Sequence, residues 1–198
     1  MTAIIASVII IPISFYMAHG ISQKTTIANV SSILALVMTG LLSLMFISLG
    51  RLTGLSSEEA GMLLIQRSGS FDMKGLLLCG IIIGALGVLD DITISQAAIV
   101  NELVKSSEKP KGNVIYKQAM NVGRDHISSM VNTLVLAYAG ASLPLLLIFV
   151  DNPHSFSEII NYEFLAEEII RTLVGSIGLI MAVPITTFIA VNWIRKEK

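Results

Sequence analysis

Residues 75–103 read GLLLCGIIIGALGVLDDITISQAAIVNEL. From Gly75 to Leu89 there is no charged side chain, and then two aspartates stand side by side, Asp90 and Asp91. A bilayer core of about 30 Å is crossed by about 20 mostly apolar helical residues, and Gly75–Ser95 meets that requirement. Working outward, Thr2–Gly20, Ile27–Leu49, Ile127–Val150 and Ile169–Trp193 meet it too. The expected fold is an all-α, polytopic membrane helix bundle of about five transmembrane helices, with residues 1–198 forming a single transmembrane domain. Composition agrees: 54% of residues are hydrophobic and 14% charged, where a soluble domain carries about 25% charged residues.

The first stretch, MTAIIASVIIIPISFYMAHG, has no Lys or Arg ahead of its apolar run, and the run outlasts the usual apolar region of a signal peptide; it reads as a span. Between the second and third spans, Ser57 followed by Glu58, Glu59 and an apolar patch predicts a short capped helix at the membrane interface. Between the third and fourth, Pro110 and Gly112 mark a turn and Val114–Met120 a short amphipathic stretch. Lys24, Lys105, Lys109, Lys111, Lys117, Arg124, Arg195, Lys196 and Lys198 fall on one side of the spans, against Arg51, Arg67 and Lys74 on the other. The richer side is expected to be cytoplasmic, with the C-terminus inside and the loop around His154 outside. Gly80 and Gly84 form a GxxxG pair, and Ala137, Ala139, Gly140 and Ala141 recur in the fourth span. Helices in lipid approach closely at such residues, so the third and fourth spans are expected to form a tight pair.

Function in a membrane chain is sought where hydrophobicity is violated. Asp90 and Asp91 lie about 23 Å along a helix starting at Gly75, inside the apolar core, where a carboxylate must face a polar interior, pair with a cation or take up a proton. Asp91, Ser95, Ala98 and Glu102 share one helical face, with Thr93, Gln96 and Asn101 continuing the polar character. Two adjacent carboxylates point about 100° apart, so one division sends Asp91 toward a polar path and Asp90 toward a neighbouring helix. The other reading places the pair at the headgroup boundary of a tilted helix. Asn132 and Thr133 fall at a similar depth in the fourth span, either lining the same path or bonding to a neighbouring helix. Asp125 is expected to N-cap that span, with Ser128 three positions on and Arg124 supplying cytoplasmic charge. Glu167 and Arg171 have i,i+4 ion-pair spacing. Pro184 sits within the fifth span beside Thr186 and Thr187, where a kink could serve structure or gating.

Catalytic patterns are missing from the sequence. His19, His126 and His154 show no ligand spacing, and no metal centre or cofactor is expected. There is no nucleophile elbow, Walker loop or dinucleotide fingerprint, so the chain does not read as an enzyme. The lone Cys79 makes no intrachain disulfide. A net charge of −1 with no basic stripe argues against nucleic acid as a partner.

The strings GLLLCGIIIGALGVLDDITISQAAIVNEL, GRDHISSMVNTLVLAYAGASLPLLL and EEIIRTLVGSIGLIMAVPITT, together spanning Gly75 to Thr187, resemble the YibE/F family of bacterial membrane proteins. The resemblance implies a multi-pass protein of the bacterial inner membrane and supplies no substrate. In the order of its segments the chain is also similar to the SecD/SecF and resistance-nodulation-division transporters, where a membrane aspartate in a comparable segment relays protons. That likeness implies the relay role for Asp90 or Asp91. The chain departs from those transporters in having five expected spans and no large extracytoplasmic domain. A second copy of the chain, as a homo-oligomer, or a second membrane subunit would have to supply the rest. The expectation is a transport- or export-type permease subunit in the lipid bilayer, the alternative being a non-transporting scaffold.

Overall fold

The computed structural model describes residues 2–66, 71–108, 111–150 and 155–194, with side chains of the first helix described from Ile10 onward. Arg67, Lys109, Pro110, His154, Arg195, Lys196 and Lys198, which entered the orientation and turn arguments, lie outside the described residues. The elements are α1 Thr2–His19, α2 Gln23–Leu49, α3 Glu58–Gln66, α4 Met73–Ser106, α5 Gly112–Ala141, α6 Leu143–Leu147, α7 Phe156–Ile159 and α8 Glu163–Ile194. Among the described residues every regular element is helical.

The second helix shows why this is a membrane bundle. Its buried seam is made of small and polar residues, among them Thr25, Ala28, Asn29, Ser32, Ala35, Thr39, Gly40 and Ser43. Its outward face carries Leu34, Val37, Leu41 and Leu44, with Leu41 62% exposed. A water-soluble helix does the reverse. In lipid, apolar bulk costs nothing on the outside, and small residues inside let backbones approach. The seam is self-satisfying, because Ser31, Thr39 and Ser43 donate their hydroxyls to the carbonyls of Ile27, Ala35 and Thr39 one turn back.

Helices α2, α4 and α8 form the centre, each packed on the other two; α5 lies against α8 and α4, and α1 against α2 and α4. At Gly178 of α8, a Cβ would run into the side chain of Thr39 on α2. At Gly123 of α5, a Cβ would come within 2.6 Å of Val183 and 3.0 Å of Gln96. Those two glycines set the tight crossings. The third and fourth spans do not form the expected tight pair through Gly80 and Gly84. Gly84 does face Tyr138 of α5, but a Cβ on Gly80 meets nothing within 4 Å, and the main partners of α4 are α2 and α8.

Among the described residues α2, α4 and α8 are long and apolar enough to cross a membrane. Helix α1 offers the shorter apolar segment Ile10–His19. Helix α5 has the length, but its first half carries Lys117, Arg124 and Asp125. The fourth expected span, Ile127–Val150, is not one helix: α5 starts earlier, at Gly112, and stops at Ala141. Pro144 lies in the first turn of the separate α6, where its missing N–H and its ring do no harm, whereas within α5 they would break the ladder. The expected short helix after Ser57 is present as α3, with the Ser57 hydroxyl accepting from Ala60 N at 3.2 Å. Before it, Gly54 has φ +75°, and a Cβ there would strike the Met73 carbonyl, so the α2–α3 turn needs glycine at this point.

Candidate functional site

A layer of buried polar side chains crosses the bundle near the middle of α4. Asp90 stands about 26 Å from Met73 and about 24 Å from Ser106 along the helix. On the next turn Thr93 donates to the Asp90 carbonyl at 3.1 Å and exchanges a 2.6 Å hydrogen bond with Ser32 of α2. One turn further, fully buried Gln96 donates Nε2 to the Ala119 carbonyl of α5 (3.0 Å) and to Thr187 Oγ1 of α8 (2.8 Å). Thr187 donates in turn to the Val183 carbonyl at 2.7 Å. Four helices thus share one polar layer, and its Gln96 Oε1 and Asp90 Oδ1 are buried without a partner among the described residues.

Asp90 and Asp91 both line a cleft of about 240 Å³ between α4 and α1, together with Phe15 and His19. His19 ends α1 and is exposed, its ring 6.0 Å from that of Phe15. Asp90 is partly buried, beside Ser32, while Asp91 is exposed. The cleft therefore brings an imidazole and two carboxyl groups together at the edge of the polar layer, the chemistry that proton exchange uses.

The other expected site residues divide. The Asp91, Ser95, Ala98, Glu102 face does not point into the bundle: Asp91 and Glu102 are exposed, Ser95 and Ala98 half-buried, and the buried face of α4 runs through Leu89, Thr93, Gln96 and Val100. Glu102 pairs with Lys105 at 3.2 Å. Asn132 and Thr133 are exposed, and Thr133 bonds back to the Ser129 carbonyl at 3.0 Å rather than lining the polar layer. Arg124 and Asp125 are exposed, and Asp125 is no N-cap, because α5 runs unbroken through it from Gly112. Arg171 pairs with Glu168 at 2.7 Å, not with Glu167, whose Oε2 instead accepts from Ser56 at 2.6 Å. Three-residue spacing places Glu168 and Arg171 on the α5 side of α8, and Glu167 points at the α2–α3 turn. Pro184 lies inside α8, where Thr186 and Thr187 bond the Ala182 and Val183 carbonyls; the carbonyl that Pro184 deprives of its partner belongs to Ile180, one turn before the proline. Among the described residues no group of three or more His, Cys, Asp or Glu side chains is placed to hold a metal ion.

Ser32, Gln96 as a three-helix junction, and His19 beside the aspartates were not singled out by sequence reasoning. Ser31-Ser32 in an apolar span was a usable signal for the first; the other two depend on tertiary placement.

Outward bulk, a small polar seam and a buried polar layer define a helical membrane protein. Within that class, the chain belongs to the YibE/F family: the family model described as YibE/F-like protein matches residues 1–196. No curated protein and no solved structure matches the chain.

Proposed function

We propose that this membrane protein is a subunit of a proton-coupled transport or export assembly, in which Asp90 exchanges a proton between the His19 cleft and the polar layer of Ser32, Thr93, Gln96 and Thr187. The observation that carries the reading is Asp90 itself. Its Oδ1 is buried with no partner among the described residues, while the residue lines a cleft shared with Asp91 and His19. Maintaining a carboxyl group there costs stability, and such groups in membranes mark ion and proton paths. Asp91 and His19, both at the exposed mouth, would pass protons to it. The role is one of relay, not enzymatic catalysis. Membership of the YibE/F family supports a place in the bacterial inner membrane, and the Lys and Arg distribution supports a cytoplasmic C-terminus.

That the chain works as a subunit is supported by α5. Asn121, Arg124, Asp125, Ser128 and Asn132 form an exposed polar face on a helix packed into the bundle. Where this face enters the bilayer, as at Asn132, lipid tails cannot satisfy its polar groups. A second copy or a second membrane subunit covers the face in this reading. The same face supports the scaffold alternative, in which polar residues only bind a partner.

Reaction with a membrane-permeant carbodiimide tests the reading. The reagent adds to a protonated carboxyl group, so Asp90 is expected to be modified and Glu102 not, as mapped by mass spectrometry of the full chain in lipid. Asp90 left unmodified, or modified no faster than Glu102, would remove the relay from this position.

A further inference from the structure

At the end of the bundle away from His19, a second cleft of about 720 Å³ opens between the α2–α3 turn, the first turns of α4, the α5–α6 corner and the start of α8. It lies outside the polar layer and shares no residue with the His19 cleft. Its size is that of a small-molecule site, within about 300–1,000 Å³. The wall is mixed: Leu76, Leu77 and Phe164 supply an apolar side, and Glu58, Glu167, Glu168 and Arg171 supply charge.

Among the described residues three carboxylates line this cleft against one guanidinium. Arg171 bonds Glu168 Oε1 through Nη1, its Nε and Glu168 Oε2 are left without a partner among the described residues, and its charge also acts on Glu167. Glu58 is exposed to solvent at the start of α3. Glu167 is only 7% exposed, and although Ser56 donates to its Oε2, its Oε1 is buried with no partner among the described residues. Neighbouring Glu163 is not in this position, because its carboxylate accepts from Thr53 N, Thr53 Oγ1 and Gly54 N. The other described cations at this end, Arg51 and Lys74, do not line the cleft. A buried carboxylate oxygen left without a donor is costly.

We infer that this cleft binds an organic cation, its ammonium group donating to Glu167 Oε1 and its apolar body lying on Leu76, Leu77 and Phe164. A bare metal ion suits the site poorly, since among the described residues no three His, Cys, Asp or Glu side chains are placed to hold one and one wall is hydrocarbon. An anion meets the wrong net charge. The inference is independent of the Asp90 relay, which can fail without touching it.

The test is calorimetric titration of the purified full-length chain in lipid nanodiscs with phenethylammonium, using phenylacetate and 2-phenylethanol as same-ring anionic and neutral controls. Saturable binding of the ammonium compound alone is expected. Glu167→Gln keeps the shape and an acceptor for Ser56 while removing the charge, so affinity should fall at least about tenfold and thermal stability should hold or rise. Gly80→Phe is the second variant. A Cβ at Gly80 meets nothing within 4 Å, so the ring can enter the cleft and should abolish binding with every charge in place. Binding of phenylacetate as strong as that of phenethylammonium, no saturable binding of the ammonium, or affinity unchanged in both variants would each overturn the inference.

Discussion

Replacing single glycines by alanine discriminates sharply between packing at Gly80–Gly84 and packing at Gly123. At Gly123 the added methyl would lie 2.6 Å from Val183 Cγ1 and 3.0 Å from both polar atoms of Gln96. Val183 is fully buried and its side chain is stiff. Gln96 is held by bonds to Ala119 and Thr187. Neither neighbour can yield cheaply, and overpacking of this kind costs about 1–3 kcal/mol. If the Gln96 bonds break as well, interhelical hydrogen bonds in membranes add roughly 0.6 kcal/mol each. Gly123→Ala should therefore lose about 2–4 kcal/mol in all. At Gly80 the same methyl meets nothing within 4 Å, and alanine's helix propensity makes the change neutral or stabilising by up to about 1 kcal/mol. On the scale of about 2–4 °C per kcal/mol for chains of this length, the two variants should separate by several degrees in thermal unfolding in detergent, followed by circular dichroism. Equal midpoints, or Gly80→Ala the less stable, would refute the assigned helix rotations.

Glu163→Gln weakens the clamp on Thr53 and Gly54; about 1–3 kcal/mol of local stability should go, read as faster amide hydrogen exchange over residues 51–57 with little change in α4. Asp125→Ala should leave stability within about 0.5 kcal/mol, since an exposed mid-helix residue caps nothing; a loss near 1 kcal/mol, as for a true N-cap, would restore a helix start at that point. Reporters inserted near Gly112 should read cytoplasm and those near His154 the outside, following the positive charges; a cytoplasmic reading at His154 contradicts the expected orientation.

The helices α2, α4 and α8 were legible because an uninterrupted apolar run of such length suits a bilayer and little else, and the α3 cap because Ser57 is followed directly by two glutamates. Asp90 was legible as a violation of hydrophobicity. Helix rotation was not. In water the apolar side of a helix faces inward, but in lipid both sides are apolar, so periodicity does not separate core from surface. The Asp91, Ser95, Glu102 face was for that reason expected to line a path, whereas Thr93 and Gln96 point inward. Small residues identify candidate contacts without saying which are used, and Gly123 and Gly178 are the close ones, not Gly80. The end of α5 was missed because LVLAYAGASLP stays apolar across Ser142 and Pro144, where the helix stops. His19 entered the aspartate cleft through the packing of α1 against α4, which no local pattern records.

The central claim, that Asp90 moves protons, is tested most directly in proteoliposomes carrying an imposed pH gradient and an internal pH-sensitive dye. Wild-type vesicles should discharge the gradient faster than protein-free ones, and Asp90→Asn should bring the rate down to the protein-free value while the variant still inserts and folds. Asp91→Asn, altering only the exposed mouth of the cleft, should slow discharge without stopping it. Asp90→Asn vesicles discharging at the wild-type rate, or wild-type vesicles holding the gradient as protein-free ones do, would contradict the account.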